Sequence, residues 1–224
     1  MTFWTILSAI LAPALFWIAY FKYKDRYKPE PFINLGMAFL FGMIFGLLCF
    51  KFHVLLEFIG IPRDPSAFVY NRSGFSFIYL VSVVGFVEEL FKLIPFIFIV
   101  RYFRNFDEIV DGIIYSSIIA LGFAGFENIL FIPYLSGIEL FGRAIASPLT
   151  HTLFSSIWGY YIARSKLSGR IAYGKITAAF IISILLHGIY DFFTISSAYR
   201  IISTLVILII WIWRIIIIEK GVVE

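Results

Sequence analysis

Glu88 and Glu89 stand side by side in the middle of an apolar stretch from Phe75 to Val100, with Lys92 one turn later. A carboxylate near a bilayer centre costs roughly 2.5–3.5 kcal/mol on insertion scales. A chain that keeps two of them together has a use for them. Paired carboxylates suit hydrolysis, one acting as general base on a water while its neighbour or a histidine serves as acid. Lys92 is i+4 from Glu88 and i+3 from Glu89, so it can pair with either from the same helix.

Four more ionisable residues interrupt three further apolar segments: Glu127, His151, His187 and Asp191. His187 and Asp191 are spaced i, i+4, which lets the carboxylate orient the imidazole and fix its tautomer. Asn128 adds an amide donor and acceptor beside Glu127. A second chemistry therefore stands beside the first. His151, His187 and a glutamate, with Glu127 as the candidate, can hold one divalent metal, and a remaining glutamate takes the proton of the water. Two histidines and a carboxylate are a catalytic zinc set with an open position, so zinc heads the candidates. The ligands would come from separate helices, so no HExxH spacing is expected, and spacing alone does not decide between the two chemistries.

Each residue also has a plainer reading. Lys92 can simply neutralise a glutamate, and Asp191 can simply hold His187. Arg143 anchors the headgroup boundary or helps hold an anionic intermediate. His53, with Lys51 and Glu57 at the end of the second segment, reads as interfacial. Asp107, Glu108 and Asp111 open the fourth helix, and acidic residues favour a helix N-terminus. The Gly42–Gly46 spacing reads as helix packing.

The elements that must position these groups are membrane helices. The chain has 224 residues, 61% of them hydrophobic and only 14% charged. That excludes an ordinary soluble domain. One cysteine, Cys49, excludes an intramolecular disulfide framework. The formal charge of +4 is spread over short loops, which fits lipid headgroups and topology rather than nucleic acid. A crossing helix needs about 20 apolar residues. Seven segments qualify, at about 3–21, 33–56, 75–100, 108–132, 144–163, 171–195 and 200–218. The expectation is an all-α polytopic bundle forming a single membrane domain over residues 1–224, with its motif core at about 75–195. The N-terminus lacks the basic region of a cleavable signal and reads as a retained helix. Basic residues crowd the loops after the first, third and fifth segments, so the positive-inside rule puts the N-terminus outside and the C-terminus in the cytoplasm. Glu88 and Glu89 then lie near the midplane, and Glu127, His151 and His187 in the outer half.

Four ordered blocks make the chain recognisable: FVEELFK (Phe86–Lys92), DGIIYSSIIALGFAGFENILF (Asp111–Phe131), RAIASPLTHTL (Arg143–Leu153) and LLHGIYDF (Leu185–Phe192). In these it resembles the PrsW family of intramembrane proteases, within the larger group that includes the CAAX prenyl endoproteases. The resemblance implies an active site of Glu88, Glu89, Glu127, His151 and His187, supported by Asn128 and Asp191. It also implies cleavage of single-pass membrane proteins, notably anti-sigma factors, on the outer side. CAAX enzymes usually read EExxxR where this chain has Lys92 one position earlier, so CAAX-type processing becomes an alternative. A metal-free glutamic protease is a second alternative. A proton-coupled transporter is the non-enzymatic rival, and it lacks support from inverted repeats.

Overall fold

The computed structural model describes residues 3–24, 28–61, 78–135 and 137–195, with positions 205, 207–209, 212 and 216. Among the described residues every element is helical: α1 (Phe3–Lys24), α2 (Phe32–Phe58), a π-helical segment (Leu80–Gly85), α3 (Phe86–Tyr102), α4 (Ile109–Phe131), α5 (Gly137–Leu167) and α6 (Tyr173–Ile195). Helices are what an apolar solvent demands, because every backbone N–H and C=O must be satisfied within its own segment.

α4 is the axis of the bundle. Every residue from Val110 to Gly125 is buried, the pattern of a helix surrounded by others. It starts with a reciprocal cap in which the Glu108 side chain and the Asp111 side chain each take a backbone N–H of the other's turn. Its end passes into a 3-10 turn, Ile132–Tyr134, in which Pro133 has no N–H to continue the ladder. α2 and α5 flank α4 most extensively. A Cβ on Gly42 would strike the Ile119 carbonyl, and one on Gly122 the Phe39 carbonyl. Gly42 therefore serves backbone approach to α4 and Gly46 makes room for the Phe126 side chain, the packing role that their spacing suggests.

Three helices are long and apolar enough to cross a membrane by themselves: Phe32–Phe58, Ile109–Tyr134 and Tyr173–Thr194. α3 is short, at 17 residues, and holds Glu88, Glu89 and Lys92. α5 carries Arg143, His151 and many Ser and Thr side chains. The chain is thus an all-helical protein with three such spans among the described residues. Most of the expected seventh segment, 200–218, lies outside them, as do Arg26, Arg63, Arg72, Arg200 and Lys220 of the charge argument.

Two boundaries differ from expectation. The fifth helix begins at Gly137 rather than near 144, with Gly137 at φ 50°. Gly142 interrupts the pattern but sits in open space, and one exposed glycine costs only about 1 kcal/mol in a helix. At 31 residues α5 is about 46 Å long, more than a bilayer core is thick. The third segment is not uniformly α-helical. Its π turns pack on α6, where a Cβ at Gly85 would lie 2.8 Å from the Ile184 carbonyl and one at Gly188 would meet Val81.

Candidate active site

Successive positions on a helix point about 100° apart, and α3 uses this to give Glu88 and Glu89 different surroundings. Glu89 is wholly buried and fully partnered. Its Oε1 accepts from Lys92 Nζ at 2.8 Å and lies 3.0 Å from His187 Nδ1. Its Oε2 accepts from Ser155 Oγ at 3.0 Å and from Trp158 Nε1 at 2.9 Å. Glu88 Oε2 instead faces the two imidazoles, 3.5 Å from His187 Nε2 and 4.0 Å from His151 Nδ1, with Lys92 Nζ at 3.8 Å.

α4 and α5 supply the other half. Glu127 Oε1 accepts from Arg143 at 2.8 Å, and Glu127 Oε2 lies 3.0 Å from His151 Nε2. Arg143 also lies over the Phe131 ring, 3.7 Å from its centroid. Asp191 Oδ2 is 3.6 Å from His187 Nε2. Each imidazole therefore has one nitrogen against a carboxylate, Glu127 for His151 and Glu89 for His187, and turns its other nitrogen toward Glu88. The rings meet edge to face with centroids 5.0 Å apart.

Polar atoms here lack partners. Glu88 Oε2, Glu127 Oε2, His151 Nδ1, Arg143 Nε, Ser147 Oγ and both amide atoms of Asn128 are buried without a hydrogen bond. Glu127 Oε2 is among these atoms although it lies only 3.0 Å from His151 Nε2. Each unsatisfied buried group costs about 1–3 kcal/mol. Atoms on Glu88, His151 and His187 lie within 4.8 Å of one another, against the about 3.3 Å between donors around a tetrahedral zinc. Four carboxylates, Glu88, Glu89, Glu127 and Asp191, face two cations, Lys92 and Arg143. With neutral imidazoles the formal excess is two negative charges, which a divalent cation would balance. The residues present fit such an ion.

All five residues anticipated as catalytic fall in this cluster, with Lys92, Arg143 and Asp191 beside them. The compact donor set contains Glu88, whereas the spacing-based set had Glu127 with the two histidines. Asn128 is buried one position along from Glu127. Asp107, Glu108 and Asp111 lie at the opposite end of α4, where Asp111 Oδ2 accepts the N–H groups of Asp107 and Glu108 at 2.8 and 2.7 Å. His53 is half-buried on α2, outside the donor set. Sequence reasoning missed Ser155 and Trp158. A signal existed: they follow His151 at i+4 and i+7, on the same face of α5.

Comparison with known proteins agrees with the motif blocks. Residues 30–217 match the family described as PrsW family intramembrane metalloprotease. Protease PrsW of Oceanobacillus iheyensis is 33% identical over 212 residues, which cover 93% of this chain and 92% of that protein. Protease PrsW of Bacillus subtilis is 33% identical over 188 residues, covering 84% and 81% respectively. Protease PrsW of Clostridioides difficile is 34% identical over 210 residues, covering 90% and 82%. No solved structure matches the chain.

Proposed function

The chain belongs to the PrsW family of intramembrane proteases, and from that premise we propose metal-assisted hydrolysis of a single-pass membrane protein near the outer face of the membrane. In this reading Glu88, His151 and His187 hold one divalent cation, zinc first. The observation that carries it is the convergence of donor atoms from α3, α5 and α6, two of them buried and without a hydrogen bond. When bound, such an ion supplies a Lewis acid and makes an attacking water more acidic.

The protein's own groups do the rest. Glu127, held between Arg143 and the His151 ring at the edge of the donor set, takes the proton from the attacking water and returns it to the leaving amine. Arg143 holds the other oxygen and fixes the carboxylate's orientation. Glu89 braces His187 from behind, in the carboxylate–histidine arrangement that orients metal ligands. Asp191 flanks the same ring, and Lys92 offsets the charge of Glu88 and Glu89. Asn128 supplies buried polar atoms beside Glu127 for the substrate backbone.

The positive-inside reading places the N-terminus outside and the C-terminus in the cytoplasm. Glu127 lies in the final turns of α4 and Asp191 in the final turns of α6, so the centre opens toward the outer leaflet. A substrate cut there is a single-pass protein such as an anti-sigma factor, at the first of two cleavages. Metal content of the detergent-purified wild type, beside a His151→Ala, His187→Ala double variant, tests the metal. About one zinc per chain in the wild type and none in the variant supports it. An active wild type without metal overturns it in favour of glutamate-based acid–base hydrolysis.

A further inference from the structure

We propose that Ser155 and Trp158 are positioning residues of the hydrolytic centre: they lock Glu89, and Glu89 locks His187. The inference rests on the metal-assisted reading above and extends it to two residues of α5.

Ser155 behaves unlike the hydroxyls around it. Serine and threonine in apolar helices usually return their hydroxyl to a carbonyl of the preceding turn. Thr150 does so to Ala146, Thr152 to Leu149 and Ser156 to Leu153. Ser155 instead reaches across to α3 and donates to Glu89 Oε2 at 3.0 Å. Trp158, one turn further, donates its indole N–H to the same oxygen at 2.9 Å. Trp158 also packs edge to face on Phe96, with centroids 5.0 Å apart. Packing alone would accept any aromatic ring at that position, whereas the hydrogen bond requires the indole.

The consequence falls on the far oxygen. With Oε2 pinned by two donors, and Lys92 on Oε1, the Glu89 carboxylate cannot rotate without releasing buried donors, each at a cost of about 1–3 kcal/mol. Oε1 is thereby held 3.0 Å from His187 Nδ1. A proton on Nδ1 donates to it, and the lone pair of Nε2 is left pointing toward Glu88. Ser155 and Trp158 thus act through Glu89 on the tautomer and angle of His187, without touching the reacting atoms.

The test compares wild type with Trp158→Phe, Ser155→Ala, their double variant and Ser155→Thr. Trp158→Phe keeps a ring and removes only the donor, and Ser155→Thr keeps the hydroxyl. Two readouts are used: cobalt(II) titration followed by its visible absorption, and ¹⁵N NMR of protein labelled at its 3 histidines. The double variant should weaken cobalt about tenfold to a hundredfold. It should also replace the single Nδ1–H tautomer of His187 with a mixture, while Ser155→Thr matches wild type. A double variant with wild-type cobalt affinity and tautomer overturns the proposal. If the wild type binds no cobalt, the metal reading fails and the tautomer alone decides. If the double variant does not fold, Trp158→Phe carries the same two measurements.

Discussion

The two ends of α4 hold buried polar clusters of opposite character. At its N-terminal end, Tyr115 donates to Glu30 and accepts from Asn34 at 3.2 Å, and Lys22 donates to the Glu30 carbonyl at 2.8 Å. Asp111 accepts two backbone N–H groups, and Tyr115 stacks on Phe106. Sixteen residues on from Asp111, about 24 Å along the axis, Glu127 begins the other cluster. There Glu88, Glu127, His151, Asn128 and Arg143 all leave buried atoms without partners. The first cluster is polar because it ties the α1–α2 connection to the bundle core. In the proposed reading, substrate, water or metal completes the second cluster, whose unmatched atoms cost stability. The second end gathers unmatched buried atoms on five neighbouring side chains, and that concentration, rather than polarity or burial, marks it as the candidate functional end.

The largest effect that can break this comparison is at Glu88. Glu88→Gln keeps the size of the side chain and removes the charge that faces both imidazoles. Cleavage of a single-pass reporter should fall on the order of 10³-fold, with the protein still folded and membrane-inserted, and bound metal should be lost. Activity near wild type would take Glu88 out of the centre. A smaller loss is expected for Arg143→Gln, which frees Glu127 Oε1 while leaving Glu127 and both histidines in place. Turnover should drop about tenfold to a hundredfold, within the range of lost positioning interactions, with metal retained. Loss of metal in Arg143→Gln would show that Glu127 belongs to the ligand set, and so would redraw the division between Glu88 and Glu127.

Much of this was legible from residue types, because ionisable side chains in apolar segments are conspicuous without any structure. Glu88, Glu89, Glu127, His151 and His187 stood out in that way, and so did the helical class. The partition among them was not legible. Which glutamate lies between the two imidazoles and which braces His187 alone depends on the rotation of α3, continuous with the π turns of Leu80–Gly85, which no composition or period announces. The early start of α5 was not legible because Ser136, Gly137 and Gly142, between Pro133 and Arg143, imitate a loop. Ser155 and Trp158 were invisible for a different reason. Serine and tryptophan are ordinary in apolar helices, and only the approach of α3 to α5 gives their donors a carboxylate to meet.

The smallest effect lies at the other end of the molecule. Tyr115→Phe removes one hydroxyl from the Glu30–Tyr115–Asn34 cluster and leaves the ring on Phe103 and Phe106. Glu30 and Asn34 each lose a contact in a buried setting, so thermal unfolding in detergent should show a loss of about 1–3 kcal/mol. Turnover, measured below the new midpoint, should match wild type, because about 18 Å of helix separates Tyr115 from Glu127. That pairing of outcomes is what makes the variant informative. A satisfied cluster gives up stability when trimmed and leaves chemistry alone, whereas a centre built around unmatched atoms does the reverse. If Tyr115→Phe slowed cleavage without lowering the midpoint, the distal cluster would have a part in the reaction, and the two ends of α4 would no longer divide into scaffold and site.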